Sequence, residues 1–288
     1  GGPFANIAQG TNSIIATKTG MSLSDFVVTE AGFGSDLGAE KFFNIKCREA
    51  GISPKVVVLV ATIRALKYHG GKPLAELTQE DVGALEKGFV NLERHIESLK
   101  SFGLPVVVSI NAFTSDTEAE MAILLNHCKE LGVPAALSFG WAKGGDGCID
   151  LAHLVAEAAE KSEAKFNPTY DLSDPIITKI EKVCRTIYGA RNVILTNPAK
   201  VQLSRFEELG YGNLPICIAK TQKSFSDDEK KIGRPENFDI KIREFEIAAG
   251  AGFIIPIAGD ILRMPGLPGT PSSEHVDIDS EGNISGLF

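Results

Sequence analysis

This sequence predicts an α/β protein built on a mostly parallel sheet, and three observations carry the prediction. Between Val56 and Gly71 the chain reads VVVLVATIRALKYHGG, an apolar run too short for a helix that passes at once into helical spacing and stops on two glycines. Upstream, DFVVTEAGFGSDLGAEKFF repeats that order, with an apolar run from Phe26 to Thr29 closed by Glu30 and a glycine-rich turn. The alternation then continues, because β-branched runs at Val106–Ile110 and Ala135–Ser138 are separated by helix-period segments. Continuous apolar runs mark strands covered on both faces, and their alternation with helices implies parallel pairing through crossover helices.

Taken in order, strands are expected at Phe26–Thr29, Val56–Val60, Val106–Ile110 and Ala135–Ser138. Between them, Val82–Lys100 sets Leu85, Phe89, Leu92, Ile96 and Leu99 on one helical face. A helix over Asp116–Lys129 is opened by TSDTEAE, whose hydroxyls and carboxylates suit an N-terminus. Ile149–Ser162 and Asp174–Tyr188 continue the helical series, the second introduced by cap and proline signals in Asp171–Pro175. Beyond Gly189 the pattern changes to a short helix, Val201–Leu209, then strand-like runs at Leu214–Thr221, Phe238–Ile247 and Gly252–Ile257, and a turn at Asp277–Gly282. A domain boundary is therefore placed near Tyr188, giving units 1–188 and 189–288. SFSDDEKKIGRPENFD reads as a polar surface loop, and MPGLP, Met264–Pro268, as a rigid turn that walls a pocket or closes the C-terminal unit.

Composition narrows the function classes. With 288 residues, 43% of them hydrophobic, the chain can bury a large core. A formal charge of −8 without a block of Lys or Arg argues against a nucleic-acid partner, since phosphate backbones need clustered cations. Its apolar runs fall far below the roughly 20 residues that cross a bilayer, so no membrane partner is expected. Five scattered cysteines without C-x-x-C spacing point to a reduced, cytoplasmic compartment, and the five dispersed histidines offer no zinc helix. The opening GGPFANIAQGTNS, with no initiating Met and no signal-peptide pattern, reads as that of a fragment.

The site candidates follow from position. Ligands of parallel sheets sit beyond the carboxyl ends of the strands, where Glu30, Gly32, Phe33 and Gly34 fall. Backbone N–H groups of a glycine turn can hold phosphate oxygens and a strand-end carboxylate can hold a metal, although a tight turn with a surface Glu reads equally well. Phe113 and Trp141 lie just past successive strands, which sets two aromatic rings on one rim of the sheet, in polar or glycine surroundings unlike a core. Arg64 and Lys67, one turn apart, suit either an anion contact or a solvated helix face, and the solvated face is the preferred reading. His69, before two glycines, is read as a structural imidazolium at a helix end.

Block by block, the chain resembles the formate–tetrahydrofolate ligases, also called formyltetrahydrofolate synthetases. GGPFANIAQGTNS, TEAGFGSDLGAEKFFNIKCR, VATIRALKYHGG, INAFTSDTEAE, WAKGGDG, LPICIAKTQ, GAGFIIPIAGDILRMPGLP and the closing NISGLF match its blocks in order, from end to end. Two departures stand out. The glycine-rich Walker-type loop ending in G-K-T, which the family carries in its N-terminal half, is absent from these 288 residues, so the resemblance is to the C-terminal half. Gln9 stands where the family usually has the His of I-A-H-G.

The resemblance implies the remainder of a P-loop-type, mostly parallel sheet with flanking helices, plus a smaller C-terminal mixed α/β domain. It implies ATP-dependent activation of formate to formyl phosphate, then attack by the N10 amine of tetrahydrofolate to give 10-formyltetrahydrofolate. Phe113 and Trp141 become the folate-stacking pair, since a flat pterin gains from two aromatic faces; Ala5, Asn6, Glu30, Gly32 and Phe33 become nucleotide contacts. ATP with Mg²⁺, a monovalent cation activator, a missing N-terminal half and a homotetramer are implied with them. The isolated chain is expected to be inactive. The other reading is a non-catalytic folate-binding or subunit-interface module of a split synthetase-like protein.

Overall fold

Ser13 opens the first helix: its hydroxyl accepts from the N–H of Ala16 at 3.1 Å, and Ile14–Leu23 (α1) follows. The computed structural model describes residues 7, 9–163, 165–261 and 269–286. Ala5, Asn6 and the Met264–Pro268 turn lie outside the described residues. After α1 the chain winds through two wide π-helical turns, Gly34–Ala39 and Phe42–Cys47, into a last α-turn, Arg48–Ala50 (α2), which Gly51 ends at φ 65°.

The first sheet is parallel, in the order β1 (Val57–Ala61), β2 (Val106–Asn111), β3 (Ala135–Ser138). Its connections are helical. Ile63–His69 (α3), capped by the Thr62 hydroxyl, and Val82–Lys100 (α4), capped by the Asp81 carboxylate, lead from β1 to β2. Glu118–Glu130 (α5) leads from β2 to β3, and its Thr117–Glu120 capping box satisfies two backbone N–H groups reciprocally. Gly140–Lys143 (α6) and Ile149–Lys161 (α7) follow β3. α3 and α4 cross so closely that a Cβ on Gly70 would lie 1.8 Å from the Ala84 carbonyl oxygen, and one on Gly88 1.9 Å from that of Leu66. Glycine is therefore required on both helices.

Ile176–Val183 (α8), extended by the π-helical turn Cys184–Tyr188, leads to a mixed sheet. In it β4 (Asn192–Leu195) pairs parallel to β5 (Asp239–Ala248), with Asn197–Glu208 (α9) after β4, and β5 pairs antiparallel to β6 (Phe253–Ala258). A hairpin, β7 (Asp277–Ile278) and β8 (Ile284–Ser285), carries the expected turn between its arms, where Asp279 Oδ1 accepts from the N–H groups of Glu281 and Asn283. The chain is thus α/β, as expected. One hydrophobic cluster joins residues on both sides of position 188, among them Phe43, Val106, Ile180, Tyr188, Ile240 and Ile254.

Two expected strands come out differently. Phe26–Thr29 forms no ladder, and its apolar side chains stay in solvent, Val28 at 87%. A strand exists only with a partner for its backbone, and none of the described residues supplies one. Leu214–Thr221 runs parallel to β6 but makes only the bridges Ile216↔Ile254 and Ala219↔Ile257. The cause is Pro256. N–H groups of Ile254 and Ala258 donate to the carbonyls of Pro215 and Ala219, while the rung between them would need the N–H that proline lacks.

Candidate functional site

The carboxyl ends of β2 and β3 bring Phe113 and Trp141 to the same rim. Asp116 holds the turn after β2, its Oδ2 accepting from the Phe113 N–H at 2.8 Å. Trp141 opens the short α6, 60% exposed, and its Nε1 donates to the carbonyl of Ala112 at 2.8 Å. That bond ties the β3 turn to the residue preceding Phe113. Under the same turn, Cys148 Sγ lies 3.4 Å from Ser138 Oγ and would be 2.9 Å from a Cβ on Gly140, so only glycine lets it close.

Arg64 corrects the expectation of a solvated helix face. Its guanidinium lies 4.3 Å from the centre of the Phe113 ring and donates to Ser115 Oγ at 3.0 Å, so a cation covers one face of that ring. Two buried polar atoms beside this ring, Arg64 Nε and Asp116 Oδ1, find no hydrogen-bond partner among the described residues. Such atoms call for a partner from outside. Lys67 is no surface residue either: it is fully buried, 2.8 Å from Glu120 Oε1 and 2.9 Å from the Gln79 carbonyl. Glu120 also accepts from the N–H groups of Asp81 and Thr117, which locks α3, α4 and α5 beneath the rim. Lys143 lies over the Phe139 ring at 5.2 Å.

The glycine turn forms a second locus. Gly10, Thr11, Asn12, Glu30 and Gly32 line an open hollow of about 470 Å³; Phe33, 67% exposed, is not part of that lining. Here two backbones pass in contact, since a Cβ on Gly10 (φ 64°) would lie 2.1 Å from the Ala31 carbonyl oxygen and one on Gly38 2.4 Å from the same atom. Lys46 ties down the wall, donating to Thr11 Oγ1 at 3.2 Å, the Asn12 carbonyl at 2.8 Å and Thr17 Oγ1 at 3.0 Å. Burial lowers its pKa. Gln9 turns back on Ile7, donating to its carbonyl at 3.0 Å.

Beneath the turn lie charges that the sequence did not announce. Ser35 Oγ meets His95 Nδ1 at 2.5 Å, and Asp36 Oδ2 meets the fully buried Lys220 Nζ at 2.7 Å. Burial works to raise the Asp36 carboxyl, but Lys220 and then His95 outweigh it and leave the pKa lowered. Burial pushes His95 down to about 4, so its ring is neutral near pH 7. Glu40, one helical turn on, is raised to about 6 by burial; Asn44 donates to its Oε1 at 2.7 Å while Oε2 has no partner among the described residues. His69 is structural, as expected, but not an imidazolium. Burial lowers its pKa, and its Nδ1 accepts the Gly233 N–H at 3.0 Å, which requires that nitrogen to be unprotonated.

The Phe113–Trp141 rim is thus built on the carboxyl side of parallel strands, the position where α/β proteins bind ligands, whereas the glycine turn follows no strand among the described residues and its hollow is made by two backbones passing in contact. Comparison with known proteins agrees with the block resemblance. A family model described as formate–tetrahydrofolate ligase matches residues 1–288. The formate–tetrahydrofolate ligase of Hyphomonas neptunium (strain ATCC 15444) is 53% identical over 287 residues, covering 100% of this chain and 52% of that protein. The chain belongs to the formate–tetrahydrofolate ligase family, and it spans about half the length of the curated relative it matches.

Proposed function

We propose that this chain is the C-terminal half of an ATP-dependent formate–tetrahydrofolate ligase and carries its folate platform. The observation that supports this reading most is the Trp141–Ala112 hydrogen bond, which ties the indole to the residue preceding Phe113. Phe113 is half-buried and backed on one face by Arg64. A pterin seated there would meet two aromatic surfaces and two unspent polar atoms, Arg64 Nε and Asp116 Oδ1.

In the reaction, a formate oxygen attacks the γ-phosphorus of ATP and ADP leaves; the N10 amine then attacks the formyl carbon, phosphate leaves, and N10 loses its proton. Positioning and charge neutralisation carry such transfers. The hollow at Gly10–Gly32 is the place we assign to the nucleotide, with Glu30, Gly32 and the neighbouring Phe33 from the described residues and Ala5 and Asn6 preceding it. Among the described residues Glu30 is the one carboxylate on its lining. That fits Mg²⁺ held largely by phosphates and water, and does not make a protein cage for it; when bound, the ion would neutralise phosphate charge. The phosphate loop and its lysine belong to the other half, so the chain alone catalyses no formyl transfer. We assign the chain to a cytoplasmic homotetramer of the complete ligase, with a monovalent cation as activator, on family resemblance.

The test is an anaerobic titration with tetrahydrofolate that follows emission of the single tryptophan. Saturable quenching that Phe113→Ala abolishes is expected. A folded chain whose emission tetrahydrofolate leaves unchanged, after correction for ligand absorbance, would remove the folate platform from this rim.

A further inference from the structure

We propose that the free edge of β1, with the bare valines on one of its faces, is the seat of a parallel strand and an apolar helix from the half of the ligase that this chain does not span. The inference rests on the reading of the chain as half of a ligase and adds the surface through which the halves join.

Strands of a parallel sheet are normally covered on both faces. β1 is not. The register places Val57, Leu59 and Ala61 on the face of Val106, Val108 and Ile110; Leu59, Ala61, Val108 and Ile110 pack over the core built with α3, α4 and α5, and Val57 and Val106 over the larger cluster. Val58 and Val60 fall on the opposite face, level with Val107 and Ser109. Along that face cover stops between neighbouring strands: Val107 and Ser109 are 0% and 4% exposed, Val58 and Val60 37% and 62%. α7 lies against β2 and β3. The helix that would cover β1 is the one not supplied.

The edge itself is equally open. Among the described residues β1 pairs only with β2 and is the end of its sheet. Val57 donates to the Pro105 carbonyl, so the alternate amides of Val58 and Val60 point away from β2 toward the free side. Natural edges are blunted by a lysine, a proline or a bulge, and VVLVA carries none of these. The occupant follows from chain length: the Hyphomonas relative has nearly as much sequence again outside the matched span, enough for several strand–helix units.

The experiment co-expresses this chain with a tagged polypeptide carrying the unmatched half of the Hyphomonas ligase, and reads capture, amide exchange and ATP-dependent formyl transfer. A complex is expected in which exchange across residues 57–61 slows by about tenfold or more. Val60→Asp should reduce capture by about tenfold or more, while Val201→Asp, at an exposed site on α9, leaves it unchanged; urea midpoints verify that both variants fold. Absence of a complex, a complex without protection at 57–61, or equal protection in this chain alone through self-association overturns the inference. Protection at β1 without formyl transfer would leave the seat standing and remove the ligase reading. An active complex with β1 still exchanging freely would do the reverse.

Discussion

β1 and β6 are runs of the same kind, VVLVA and FIIPIA, and they meet opposite fates. All six residues of β6 are buried, because β5 pairs on one side, the 216–219 segment lies along the other, and two hydrophobic clusters close its faces. In β1 burial alternates, one edge has no partner strand among the described residues, and Val60 stands 62% exposed. An apolar run thus announces that a strand is meant to be covered. Whether it is covered depends on how much of the surrounding architecture the same chain supplies.

Four measurements can break or sharpen this contrast. The largest effect is expected beside β6, where Lys220 and Asp36 pair out of solvent. Lys220→Ala leaves a buried carboxylate unpaired and should lower unfolding free energy by about 3–5 kcal/mol in urea titrations, whereas Lys223→Ala, at an exposed position, should change it by less than about 1 kcal/mol. Next, Ile254→Ala, at a fully buried position in β6, should cost about 3 kcal/mol by the same assay.

The third concerns pH. His95 in the folded chain is held at about 4, below its ordinary 6.5, so its contribution to stability is complete above pH 6.5 and fades as pH falls toward 4. Glu40 runs the other way. Its folded value of about 6 lies above 4.5, so its contribution is complete below pH 4.5 and fades as pH rises through 6. The two oppose each other between pH 4.5 and 6. Glu40→Gln removes one of them, and stability of the variant relative to the parent should therefore rise by about 2 kcal/mol from pH 4.5 to pH 7. A pH-independent difference would mean that Glu40 titrates as it does in the unfolded chain. The smallest effect belongs to β1: Val60→Ala should change stability by no more than about 0.5 kcal/mol. A loss as large as that of Ile254→Ala would show that β1 is covered in solution after all.

Much of the fold was legible in the sequence because its signals are local. Helix α4 was expected at Val82–Lys100 and β3 at Ala135–Ser138, and both lie there. Less regular elements were missed. IIATKTGMSL in α1 has no strong apolar face, and β4, NVIL, runs straight into the Thr196 cap of α9 with no turn residue between them. Of the candidate site, the placement of Phe113 and Trp141 at adjacent strand ends was readable, since strand order fixes it. What lies under Phe113 was not: Arg64 and Lys67 share a helix and similar chemistry, yet one covers an aromatic ring and the other is sealed in an ion pair. Pairs such as Ser35–His95 and Asp36–Lys220 join residues far apart in the chain, and no spacing rule connects them.

The turn that closes over Cys148 has a practical consequence. The other four thiols, Cys47, Cys128, Cys184 and Cys217, are buried, and burial drives their pKa values up, to about 11 for Cys128 and about 12 for Cys47 and Cys217. Thiolates are the reactive form, and Cys148, three residues past the Gly144–Gly145 pair that follows the Trp141 turn, is the one of the five thiols that is not buried, so an alkylating reagent reaches it first on the native chain. The mass of one adduct marks an intact molecule. The arrival of four more counts the molecules that have opened.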